Sequence, residues 1–292
     1  MIPNRRHMRC TAVFAVCALS IVTFSSNGRS ETPRPKQWPH PAVRTGTYLP
    51  PPRTIALYAG ASGAWVPKIG DLSAGDSLIL QGDIVWNFSL FQNVAVFGSH
   101  SIGTMSWANV RLLNSYNEVG LRLRANSVFT VETAYLAHRV DVSWIDDLKV
   151  YLGGVLDHGA EVKALFHFEL IDRIRIEPWL CGRYFSVYTE DHAVLGYGVQ
   201  IALLPVENHS LALGVDFFDV WRHNARPGAD TFTHNTMARM EWQSQLSDTL
   251  GFRFAAEVST NLLVGKAPML ELKRSMTGEP MALASAGIFV NF

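Results

Sequence analysis

An excess of charge of either sign is missing: 25 Lys and Arg stand against 25 Asp and Glu in 292 residues. There is no basic surplus to pair with nucleic acid and no acidic tail. Cysteine is nearly missing too. Cys10 and Cys17 lie in an N-terminal segment expected to be removed, which leaves Cys181 with no partner for an intramolecular disulfide or a thiolate metal site. Long apolar runs are lacking: the longest, "CTAVFAVCALSIVTF", holds about 15 residues where a helical membrane span needs ~20. His138, His158, His167 and His192 are scattered without the tight spacing of metal ligands. No metal or cofactor is expected.

The same apolar run, preceded by the basic "MIPNRRHMR" and followed by the small residues of "SSNGRS", predicts a signal peptide over 1–30. Proline crowds the next segment, "ETPRPKQWPHPAVRTGTYLPPPR", and predicts an extended periplasmic linker over 31–52. From there to Phe292 the character changes to a single domain of strands.

The signal is alternation with period two. In "SLILQGDIVWNFSLF", Leu78, Leu80, Ile84, Trp86, Phe88 and Leu90 fall on one face, with Ser77, Gln81, Asp83, Asn87 and Ser89 on the other. Val119, Leu121 and Leu123 oppose Glu118, Arg122 and Arg124. Phe129, Val131 and Tyr135 oppose Thr130, Glu132 and Ala134. Val162, Ala164, Phe166, Phe168 and Leu170 oppose Lys163, His167 and Glu169, while Ile174 and Ile176 oppose Arg173, Arg175 and Glu177. One face wants hydrocarbon and the other wants water.

Short joints at 91–92, 125–127, 171–172, 205–209 and 246–249 alternate with longer ones near 67–76, 99–109, 141–159, 188–193, 221–232 and 265–280. That pattern predicts a transmembrane antiparallel up-and-down barrel of about twelve strands over 53–292, with short periplasmic turns and long external loops. Trp86, Phe88, Phe91, Phe129, Phe168 and Phe252 would form one aromatic girdle, and Trp65, Trp107, Trp144, Tyr188 and Trp221 the other. "SWIDDLKVYLGGVLDHG" (143–159) has helical apolar spacing and predicts a short amphipathic helix in an external loop, weakened by Gly153 and Gly154. If 148–157 were strand instead, fourteen strands would be the alternative.

These strands and the ending "GIFVNF" resemble Gram-negative outer-membrane β-barrel proteins. The resemblance implies residence in the outer membrane, contact with the lipid bilayer and recognition by the barrel-assembly machinery through Ile288, Val290 and Phe292 on one face of the last strand.

The chemistry-bearing residues collect on the polar face. Arg122, Arg124, Glu132, Lys163, His167, Glu169, Arg173, Arg175 and Glu177 come from consecutive strands, and Arg239, Glu241, Arg253 and Glu257 flank the last short turn. Mixed signs at close quarters predict a salt-bridged lumen network, with His167 and Glu169 as one hydrogen-bonded pair. A Ser and a His on one strand face could cleave lipid esters. However, His100 and Ser101 are adjacent, and His234 with Thr236 lies on the lipid face with no evident acidic partner. No catalytic residue is assigned. The favoured reading is a non-enzymatic outer-membrane protein, a narrow solute channel with a charged lumen. The alternatives are a closed structural or surface-binding barrel and, less favoured, a lipid hydrolase or deacylase.

Overall fold

A computed structural model describes residues 53–66, 77–107, 110–145, 152–171, 173–186, 191–206, 208–223, 231–247, 249–260 and 281–292. The expected signal peptide and linker lie outside them. The described chain is all strand: β1 (Ile55–Val66), β2 (Ser77–Phe91), β3 (Val94–Trp107), β4 (Val110–Arg124), β5 (Phe129–Ile145), β6 (Leu152–Phe166), β7 (Phe168–Ile171), β8 (Ile174–Ser186), β9 (Asp191–Val206), β10 (His209–His223), β11 (Phe232–Gln245), β12 (Leu250–Ser259) and β13 (Met281–Asn291).

Neighbouring strands pair antiparallel in sequence order, and β13 pairs with β1 to close the ring. Closure gives each strand of the ring a neighbour on both sides, as hydrocarbon demands. β6 and β7 are one crossing. Both pair with β8 in the same register, Leu165 opposite Trp179 and Phe168 opposite Ile176, and only His167 separates them. The barrel is therefore twelve-stranded. The β5–β6 ladder ends at Phe129 and Phe166, so β7 runs on past the end of β5.

The short turns share one end with residues 55 and 292, whose backbones exchange hydrogen bonds of 3.1 and 2.8 Å. Turn chemistry accounts for this end. Asn126 Oδ1 accepts from Val128 and Phe129 N, each at 2.8 Å, in the β4–β5 turn. Asn208 takes φ 66° in the β9–β10 turn, a left-handed conformation that Asn tolerates.

Alternation sorts the side chains as expected. Asp83, Val85, Asn87 and Ser89 are buried inside, whereas Leu80 and Ile84 are about half exposed on the outer face. Phe91, Phe168, Trp242 and Phe292 lie exposed toward the short-turn end, and Trp221 and Phe232 pack ring to ring toward the other. The side chains of Trp65, Trp107, Trp144 and Tyr188 lie outside the described residues.

Two expectations are corrected. The long joint at 99–109 is strand as far as Trp107. The helix expected over 143–159 is strand at both ends, since 143–145 belong to β5 and 152–159 to β6, and 146–151 lie outside the described residues. Val140 pairs with Val155 and Val142 with Leu152 across a register shift. Gly153 and Gly154, of low helix propensity, lie in the part of this stretch that is strand. No extra crossing results, because this stretch is the upper half of β6.

Candidate functional site in the lumen

The inner face brings most of the expected charges together, in pairs. Arg122 on β4 stands opposite Glu132 on β5, and the side chains meet at 2.5 Å. Arg253 and Glu241 meet at 2.5 Å between β12 and β11. Near the short-turn end, Glu177 receives Arg175 at 3.2 Å and faces His167 Nδ1 at 3.4 Å. His167 thus pairs with Glu177 and not with Glu169. Glu169 is exposed on β7 opposite Arg175 in the ladder, and Arg173 is exposed in the turn. Arg124 donates to the backbone oxygen of Asn126 at 3.1 Å.

Arg239 leaves its own hairpin set. It stands opposite Gly214 on β10, where a Cβ would lie 2.9 Å from Arg239 Nε, and it crosses that space to Asp216 at 3.2 Å. Glu257 is its ladder partner on the other side. Asp216 also accepts from Trp179 Nε1 at 2.8 Å.

Several inner residues were not anticipated. Glu161 and Arg183 face each other between β6 and β8, with Arg183 Nε donating at 2.7 Å. The signal was available, since 161 shares parity with Lys163, and 183 with Arg175 and Glu177. At the far end His138 meets Asp157 at 3.3 Å, both buried. The outward His234 does have an acidic partner, Asp219 on β10 at 2.6 Å, contrary to expectation.

Inner aromatics were also missed. Tyr58, Phe97, Phe185, Phe218 and Phe289 are buried in the barrel, although aromatic residues read as lipid-facing. Four inner cations lie over rings: Arg122 over Phe97 at 5.1 Å, Arg183 over Phe185 at 5.9 Å, Arg253 over Tyr58 at 5.6 Å and Lys163 over Trp179 at 5.0 Å. These distances fall in the range where the ring quadrupole attracts a cation. Three of these cations thus have a carboxylate beside them and a ring beneath, a double constraint that fixes long side chains against the wall.

Burial varies along the strands. Toward the short turns Asn87, Arg122, Thr130, Glu132, Glu241 and Arg253 are buried, and toward the far end His138, Asp157, His192, Arg222 and Asn235 are buried. Between them, at mid-strand, burial is mixed: Asp83, Ser101, Glu161, Cys181 and Asp216 are buried, while Glu118, Lys163, Trp179, Arg183, Arg239 and Glu257 keep some exposure. Polar groups share the buried ends with apolar ones such as the cluster of Ala56, Tyr58, Val85 and Phe289, and among the described residues Asn235 Oδ1 and Nδ2, Asp157 Oδ1, Asn87 Oδ1 and Thr130 Oγ1 make no hydrogen bond.

Comparison with solved structures places this geometry. The translocator domain of the autotransporter NalP from Neisseria meningitidis superposes with a TM-score of 0.57 at 11% identity, over 86% of this chain and 92% of that one. The β domain of the Bordetella autotransporter BrkA gives 0.55 at 8% identity, over 82% and 99%. An outer-membrane channel from Pseudomonas putida F1 gives 0.54 at 10% identity, over 85% and 98%. The fold is that of an outer-membrane β-barrel. No protein-family model matches the chain, and no curated protein matches its sequence. At such identities the likeness carries the architecture, and what the lumen does must be argued from its own residues.

Proposed function

We propose that the protein sits in the outer membrane of a Gram-negative bacterium, with its short turns in the periplasm, and acts as a narrow channel for small polar solutes. The observation that carries this reading is the profile of the lumen. A middle in which Glu118, Lys163 and Arg239 keep some exposure lies between tighter ends where polar groups stand beside apolar ones. Barrels of eight strands are just filled by their side chains, and those of 16–18 leave an aqueous channel; twelve strands suit a narrow passage. The solved channel with a similar fold is compatible with this reading.

Conductance in planar bilayers tests it. The purified protein should conduct, and Arg253→Ala combined with Glu241→Ala, which empties the inner constriction of one charge pair, should raise the single-channel current. Absence of current in both proteins, each verified as folded by its heat-modifiable mobility, would reject the channel in favour of a closed barrel.

A further inference from the structure

The outer face of the barrel is not uniformly apolar. Four ladder partners form one row across β3 to β6: His100 stands opposite Asn117, Asn117 opposite Ala137 and Ala137 opposite His158. The row shares the outward face with Val119, Leu121 and Tyr135, each about half exposed. His100 Nδ1 donates to Asn117 Oδ1 at 2.8 Å, and the Tyr135 hydroxyl bonds His158 Nδ1, with the two rings 5.8 Å apart. Among the described residues these four side chains make no other hydrogen bond. Capacity is left over in both pairs. The Asn117 amide nitrogen carries two donors, His100 Nε2 keeps a lone pair, and His158 keeps its second ring nitrogen.

Height along the wall sets this row apart. Counted from the short-turn end, His100 lies six residues past Val94, Asn117 seven before Arg124, Tyr135 six past Phe129 and His158 eight before Phe166. At ~3.3 Å per residue and a tilt of about 40°, they stand roughly 15–20 Å above that end, inside an apolar band of about 25 Å. The far wall carries Val199, Val215, Ala238 and Val258 at the same height, a single ladder row of β9 to β12. Two further outward pairs, Asp219 with His234 and Ser186 with Asp191, lie higher. Asp219 is ten residues past His209 and Ser186 twelve past Ile174, at about 25 Å or more, where headgroups begin.

We infer that this sector of β3 to β6 is where a second copy of the chain packs in the membrane, forming a two-fold dimer. The inference goes beyond the channel reading and rests only on the barrel spanning a bilayer. Acyl chains offer no hydrogen bonds, so polar groups at this depth find partners only in protein. A second copy supplies them. Imidazole, amide and phenol groups each combine donor and acceptor capacity, so the sector is complementary to itself, as a two-fold contact requires. Ala137, with its small side chain, stands in the row between Asn117 and His158 and lets the facing walls approach. A ring of three would need two different complementary sectors on each copy, and the apolar band holds one such polar sector among the described residues.

Cross-linking in membranes tests this, with the full chain carrying Cys181→Ser as background. Ala137→Cys should give an intermolecular disulfide when the membrane fraction is oxidised, and Val215→Cys, on the far wall, should give little. Adding His100→Leu and His158→Leu to Ala137→Cys should lower the cross-linked fraction several-fold. Equal cross-linking from both walls, or a fraction indifferent to the histidine changes, would overturn the dimer and leave the channel standing. Native mass spectrometry of the wild-type protein in detergent decides without any variant: the mass of two copies is expected, and single copies alone would overturn the inference. A chain absent from the membrane fraction would remove the bilayer placement as well.

Discussion

Arg122 on β4 and Glu132 on β5 stand directly opposite each other in the ladder and meet at 2.5 Å, each almost fully buried inside the barrel. Removing one partner strands the other as a buried charge, which typically costs about 3–5 kcal/mol. Arg122→Ala and Glu132→Ala should each lower stability by roughly that amount in urea unfolding of the micelle- or vesicle-bound protein. The double variant should lose clearly less than the sum, because neither charge is then left alone. Simple additivity of the two losses would show that the pair does not act as a unit.

Phe289 on β13 lies flat over Gly251, its ladder partner on β12. The three heavy atoms nearest to a Cβ added at Gly251 all belong to the Phe289 ring. Gly251→Ala should therefore destabilise the barrel by about 1–3 kcal/mol through overpacking. The double variant Gly251→Ala with Phe289→Leu should recover part of the loss. If the single change is neutral in a denaturant titration, the ring is not held against the wall.

Cys181 faces inward, is 2% exposed and lies close to Gly196. In the folded barrel a bulky maleimide should leave it unmodified, and unfolding in urea should release it to react within minutes. Mass spectrometry after brief exposure reads the difference. Rapid labelling of the folded protein would mean a bore much wider at this level than its side chains allow.

Phe292 is 71% exposed beside Ile55, and Ile288 on the same strand faces outward at 55%. An assembly factor that reads an apolar, aromatic-ended last strand would find these residues available. Deleting Phe292 should reduce the heat-modifiable, membrane-inserted fraction in cells and leave the stability of refolded protein nearly unchanged. Equal insertion of the truncated chain would remove Phe292 from that role.

The sorting of side chains into two faces was legible from alternation alone, since a one-residue slip would place Asp83, Asn87 and Ser89 in hydrocarbon and Ile84 in the lumen. Which inner charges meet was only partly legible. Arg122 with Glu132 and Arg253 with Glu241 join strands linked by a short turn, so hairpin register brings them together. Arg239 escaped because its path to Asp216 depends on Gly214 leaving room on the neighbouring strand, a matter of register across a long joint. The inner aromatics failed for a related reason. Alternation sets Phe289 on the face opposite Ile288 and Val290, but only Gly251 across the ladder leaves its ring room inside. Helical spacing misled at 143–145 and 152–159, which are strand residues of β5 and β6, with Gly153 and Gly154 among them.

The ladder that closes the ring pairs Ala56 with Asn291, contacts far more distant in sequence than those of any hairpin in the molecule. Non-local pairings of this kind are made late and slow folding. Until β13 arrives, β1 holds one bare edge, and an unpaired edge is a template for pairing with another chain. The hazard for this protein is thus one of time more than of equilibrium. The interval before the ring shuts is when the nascent barrel most needs an escort, and a variant that delays closure would aggregate even if its finished form were as stable as the original.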